Sequence, residues 1–335
     1  MAPEPAEVAL AYYVRQQRIV RRTADQAQAV WRQLDPTDWD ASWRYAVSAG
    51  LVGAVAAGQQ EAAAHSDAYV AAVIAADGLD SDPAGKVEPL AFAGAASDGR
   101  PLKSLMYESV LEAKWLIEEV GQSEVDAMIG GLEKLLRAAS TQVADAGRTA
   151  TGTAVAGNRT INGYIRVVNP PACARCLILA GKEFGWNAGF QRHPKCDCVH
   201  MPARLIKRGR QHPGVFDAKT YFGSLPTSEQ NRIFTNAGAQ AIRDGADISS
   251  VVNARRGMYT ADAYGQRVRA TRDSATRRGA WYRQERQRAI ERGLVPRSGR
   301  GFRLTSPRLL PEEIYRLADS RSEAITMLRR FGYLT

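Results

Sequence analysis

The residues best equipped for chemistry are crowded into one stretch. All four cysteines of the 335-residue chain lie between positions 173 and 198. They stand as Cys173-Ala-Arg-Cys176 and then, after a loop, His193-Pro-Lys-Cys196-Asp-Cys198, with His200 close behind. Thiolates and imidazoles at such spacings satisfy a tetrahedral Zn2+ ion when two short segments each supply a pair of ligands. Cys173 and Cys176 form a C-x2-C half-site. In an extended segment Cys196 and Cys198 face the same side, which favours an all-cysteine site of Cys173, Cys176, Cys196 and Cys198. A competing arrangement takes His193 as the alternative ligand and leaves Cys198 as a packed thiol. In either arrangement the ion is structural, a staple for a small module that lacks a large core.

Three other readings of the cluster stay open. The cysteines suit disulfides if the chain meets an oxidising setting. They also suit tight apolar packing. A catalytic cysteine is the third, with Cys173 as nucleophile and His193 or His212 as base, and it needs a proximity that spacing alone does not show. No G-x-S-x-G, S-x-x-K or H-E-x-x-H occurs in the sequence.

The elements that must position this stretch are mostly helical. Apolar residues recur at helical intervals over 4–34 (Val8, Tyr12, Ile19, Val30, Trp31), and Asp35-Pro36 ends the pattern. A second helical stretch runs from Trp39 through an alanine-rich tract to Ala76. Residues 77–101, rich in Gly and Pro, form a connector. Helix returns over 101–120 and again over 123–146, where Ser123 with Asp126 makes a weak capping box. Positions 147–157 continue that helix or loosen into a hinge. Residues 160–168 have the β-branched and aromatic content of a strand. Beyond Pro202 the chain is expected to be helical in short pieces, ending in a compact helical unit from Pro311. The expected fold is mainly α with a small α+β zinc-stapled module, divided as 1–150, 151–203 and 204–335.

Charge is unevenly spread. Residues 1–200 carry 19 basic and 23 acidic side chains, net −4, whereas 201–335 carry 26 basic and 12 acidic, net +14. Between 255 and 303 there are 14 arginines against four acids, with Tyr259, Tyr264, Trp281, Tyr282 and Phe302 interleaved. Such a tail is a candidate surface for DNA or an acidic protein partner. The candidate contacts are Arg255, Arg256, Arg267, Arg269, Arg272, Arg277, Arg278, Arg283, Arg286 and Arg288. The aromatics fit the cores of short helices, with base stacking as the alternative. No apolar run reaches the ~18–20 residues that span a bilayer, so no membrane is expected. The acidic start, Met1-Ala-Pro-Glu, lacks a secretory pattern, and synthesis in the cytoplasm is the expectation.

Cys173, Cys176, Gly181, Lys182, Phe184, His193, Pro194, Cys196 and Cys198 together resemble the C-terminal domain of the phage Mu F-like minor head proteins. The flanks are similar to actinobacteriophage proteins labelled minor capsid protein or capsid maturation protease. The matching residues there are Trp31, Asp35-Pro36, Asp38 and Ser42-Trp43, then Glu313 to Ala318 and Phe331-Gly332-Tyr333. The resemblance implies a head morphogenesis protein that binds portal, major capsid or scaffold protein and possibly packaged DNA. It would be found in the host cytoplasm during assembly and then inside the virion. The alternative it implies is a peptidase acting on scaffold or capsid protein.

Overall fold

A computed structural model describes residues 3–189, 198–205, 217–298, 302–304 and 306–334. The chain divides into two compact units, Met1–Pro171 with Ala180–Val215, and Ala172–Leu179 with Phe216–Thr335.

The first unit is built on long helices. Its α1 (Pro5–Trp31) opens with a capping box between Glu4 and Glu7. A short α2 (Trp39–Ser42), capped by Asp38, passes through a π turn at Trp43–Val47 into α3 (Ser48–Ala64), and α4 (Ser66–Ala76) follows at once. The helical stretch from Trp39 to Ala76 is therefore segmented, with irregularities at the π turn and at His65. After α5 (Leu102–Glu118) comes α6 (Glu124–Ala156), which runs without a hinge. Gly147 marks close packing there, because a Cβ would stand 2.6 Å from Gln16 Oε1. At Gly131 a Cβ would stand 2.7 Å from both the Ser109 carbonyl oxygen and the Trp31 ring, so α1 and α5 press directly on α6. Trp31, Leu51, Met106, Val110, Leu135 and Val143 fill the core between these helices, and the Trp31 indole donates to Met128 O at 3.2 Å.

A three-stranded antiparallel sheet completes this unit, in the order β2 (Glu183–Gly185), β1 (Gly163–Val168), β3 (Cys198–Ala203). Alternation along the strands puts Ile165, Val199, Met201 and Ala203 on one face. That face shares a core with Ala9 and Tyr12 of α1 and Tyr69 and Val73 of α4. Tyr12 and Tyr69 stack with ring centroids 3.8 Å apart. The Tyr12 hydroxyl meets Thr151 Oγ1 at 2.9 Å, and the Tyr69 hydroxyl donates to His200 O at 2.9 Å. The expected α+β segment is present as this sheet, and its apolar face is covered by the N-terminal helices.

The second unit strings together short helices: α7 (Ala174–Leu177), α8 (Ala218–Ser224), α9 (Thr227–Phe234), α10 (Asn236–Arg243) and α11 (Ile248–Ala254). Asp217, Thr235 and Asp247 cap α8, α10 and α11 by accepting backbone N–H groups. Next come β4 (Met258–Ala263) and β5 (Gln266–Thr271), then α12 (Ala280–Glu291), β6 (Arg308–Leu309), α13 (Pro311–Leu317) and α14 (Arg321–Arg330). The β4–β5 hairpin corrects the expectation of a wholly helical tail. Its two loop residues, Tyr264 and Gly265, both have positive φ, 56° and 75°. Such a loop matches the right-handed twist of the flanking strands. No helix among the described residues is long and apolar enough to cross a membrane.

One arginine ties this unit together. Arg308 has a side chain with no exposed surface. Its Nε donates to Phe331 O at 2.8 Å, Nη1 to Asp273 Oδ2 at 3.0 Å, and Nη2 to Ser250 Oγ at 3.1 Å and Gly332 O at 3.2 Å. The guanidinium also lies 4.0 Å from the Tyr333 ring centroid. A buried charge costs several kcal/mol unless its donors are met, and here they are met from α11, the loop after β5 and the end of α14. Two carboxylates follow the same pattern. Glu313 accepts from Arg269 at 2.8 Å and Arg316 at 2.6 Å, and Asp244 from Tyr315 at 2.6 Å and Arg321 at 2.7 Å. Burial pushes both carboxyls up, but these donors outweigh it and hold both below the usual carboxylate range.

Replacing Arg308 with Met keeps the aliphatic stem and removes every donor. Arg308→Met is expected to lower stability by about 3–5 kcal/mol, measured as a shift of the urea midpoint. An unchanged midpoint would mean that the Phe331 and Gly332 carbonyls and Asp273 find other partners.

Candidate functional site

The cysteine stretch is partly visible in the described residues. Cys173 is exposed and stands at the N-cap of α7, where its Sγ accepts the Cys176 N–H at 3.5 Å. Cys176 is buried one turn on. This is a C-x2-C turn in which the first sulfur already accepts a backbone donor. Cys198 is buried at the start of β3, and Arg148 Nε donates to its carbonyl at 3.0 Å. Alternation places Cys198 and His200 on the face of β3 opposite Val199 and Met201. Tyr164 and Arg166 of β1 share that face. There the His200 ring stacks on Tyr164 with centroids 4.1 Å apart. His193, Cys196 and His212 lie outside the described residues. Among the described residues no three metal-ligating side chains come together.

The ten candidate arginines separate by what they touch. Arg255 pairs with Glu312 at 2.5 Å and Arg269 with Glu313 at 2.8 Å. Arg288 pairs with Glu285 at 2.5 Å and donates to Arg330 O at 3.1 Å. Arg286 donates to Arg297 O at 2.9 Å, and the Arg272 guanidinium lies 5.4 Å from the Tyr259 ring centroid. These five are engaged within the unit. Arg267, Arg278 and Arg283 are exposed and form no ion pair among the described residues. Arg256 and Arg277 are exposed as well. Exposed guanidinia of this kind attract a polyanion through released counterions, whatever its sequence.

Sequence reasoning missed the residues that hold this surface in place. Arg308, Asp244 and Glu313 were hidden in the charge count. The signal for Arg308 was its place in a short apolar run, Pro307-Arg308-Leu309-Leu310-Pro311, where a solvated arginine is out of keeping. The signal for the hairpin was alternation around Tyr264-Gly265, which arginine on one strand disguised.

Comparison with known proteins adds one finding. The model of the VG15 protein family matches residues 5–222, well over half of the chain. The match spans α1 to α8 and includes the whole cysteine stretch. No curated protein and no solved structure matches the chain. The chain belongs to the VG15 protein family, a viral family of the phage type.

Proposed function

We propose that this protein is a minor capsid (head morphogenesis) protein of a tailed phage. In this reading it binds portal and capsid or scaffold protein during assembly in the host cytoplasm, and its basic unit meets packaged DNA inside the head. The observation that carries the reading is the family match over residues 5–222. It covers the same Cys173-to-Cys198 pattern that resembles the Mu F-like minor head proteins. The exposed arginines of the second unit support contact with a polyanion. Quantitative mass spectrometry of purified virions tests it directly. The polypeptide is expected at a copy number near that of the portal, and its absence from intact virions would sink the reading.

The cysteines enter as a structural Zn2+ site. Cys173 and Cys176 fit one half, since they share a turn and the first sulfur accepts an amide hydrogen. Cys196 and Cys198 would supply the other half, with His193 as the alternative ligand. Zinc there would supply folding free energy and no reaction step. Elemental analysis of protein purified under reducing conditions is expected to give about one zinc per chain, and the Cys173→Ser/Cys176→Ser double variant to give none. Wild-type protein free of zinc would remove the staple.

A further inference from the structure

The second unit contains a groove that the proposed function does not use. It is an open cleft of about 560 Å³, a size typical of small-ligand sites. Tyr259 and Ala261 of β4 form one side, Trp281 and Tyr282 at the start of α12 another, and the segment carrying Phe302 and Arg303 closes the third. We infer that this groove takes unpaired bases of a single-stranded nucleic acid. The inference rests on the reading that the basic unit meets nucleic acid, and it names the form that is recognised.

Two observations point to bases. First, the aromatic rings are held in place and remain partly open. Tyr282 donates its hydroxyl to Phe302 O at 2.9 Å, and the two rings meet edge to face at 5.3 Å and 70°. Phe302 and Tyr259 are half-buried, so ring surface remains to be covered. Second, cations stand beside the rings. The Arg272 guanidinium lies 5.4 Å from the Tyr259 centroid and stays exposed, as does Arg303 on the groove wall. Aromatic faces beside a phosphate-attracting rim are what sequence-tolerant binding of single strands requires.

A duplex keeps its base faces stacked inside, so ring stacking selects unpaired strands. Phosphate attraction alone gives no such preference.

The test uses the full chain and fluorescence anisotropy with four probes of equal length, three single strands of equal charge and one duplex. They are an oligo-dC strand, an abasic strand, an oligo-rC strand and a duplex carrying the same label. The wild-type protein is expected to bind the base-bearing strand about tenfold or more tighter than the abasic one. Tyr259→Ala should remove most of that ratio, leaving duplex and abasic binding and the melting temperature unchanged, while Tyr259→Trp should preserve it. Comparison of the dC and rC strands tells whether DNA or RNA is the source of the bases. Equal affinity for abasic and base-bearing strands, with duplex binding intact, overturns the groove and leaves the basic-surface reading standing. Loss of binding to all four probes overturns both. Tyr259-dependent binding of poly-glutamate instead would assign the groove to a protein partner and overturn the inference.

Discussion

Among the described residues of the C-terminal unit, one fully buried cation, Arg308, joins segments that are far apart in the chain. The helices of this unit are short, most of them under three turns, and short helices have little stability of their own in water. Something other than helix propensity must fix their arrangement. Arg308 does this by joining α11, the loop after β5 and the last turn of α14 to the two-residue strand it sits on. Its stem packs where a hydrophobic residue would, and its head satisfies carbonyls that a helix end leaves open. Tyr333 completes the arrangement, its ring against the guanidinium and its hydroxyl donating to Leu309 O at 2.9 Å. The C-terminal Phe-Gly-Tyr segment is thereby part of the core.

This changes what the positive charge of the tail means. A net charge of +14 over residues 201–335 suggests one broad binding surface. The structure divides the arginines by function instead. Arg308 is internal, Arg255, Arg269, Arg316 and Arg321 neutralise Glu312, Glu313 and Asp244, and Arg267, Arg278 and Arg283 remain outward. Several of the few acids, Glu229, Asp244, Asp273, Glu285, Glu312 and Glu313, anchor arginines. Surface ion pairs contribute little each, but Asp244 and Glu313 are buried, and removing their partners would strand a charge. The positive charge left facing outward is smaller than the charge count, and it belongs to specific side chains.

Much of the helical half was legible because periodicity and punctuation agree there. α1 ends close to Asp35-Pro36, and Ser123 caps α6 by accepting from Asp126 N at 3.2 Å. What failed was physical in origin. At Gly147 the sequence left helix and hinge both open, because glycine lowers helix propensity; the helix continues, and the glycine lets Gln16 approach. The stretch from Trp39 to Ala76 has no proline at its irregularities, so the π turn after Ser42 left no local mark. The hairpin at 258–271 was masked because its outward face carries Arg267 and Arg269 where a strand signature expects Thr or Val. For the cysteines, spacing suggested four ligands. The structure describes Cys173, Cys176 and Cys198, of which the first two share a turn.

The division of the arginines is open to one direct measurement, the salt dependence of duplex DNA binding. In the triple variant Arg267→Ala/Arg278→Ala/Arg283→Ala, the slope of log affinity against log salt is expected to become shallower by about 2–3, roughly 0.9 for each phosphate that is no longer neutralised. The unfolding midpoint should stay where it is in the wild type. A slope that does not move, or a fold that collapses, would contradict the claim that these three face a polyanion while Arg308 and its neighbours hold the frame.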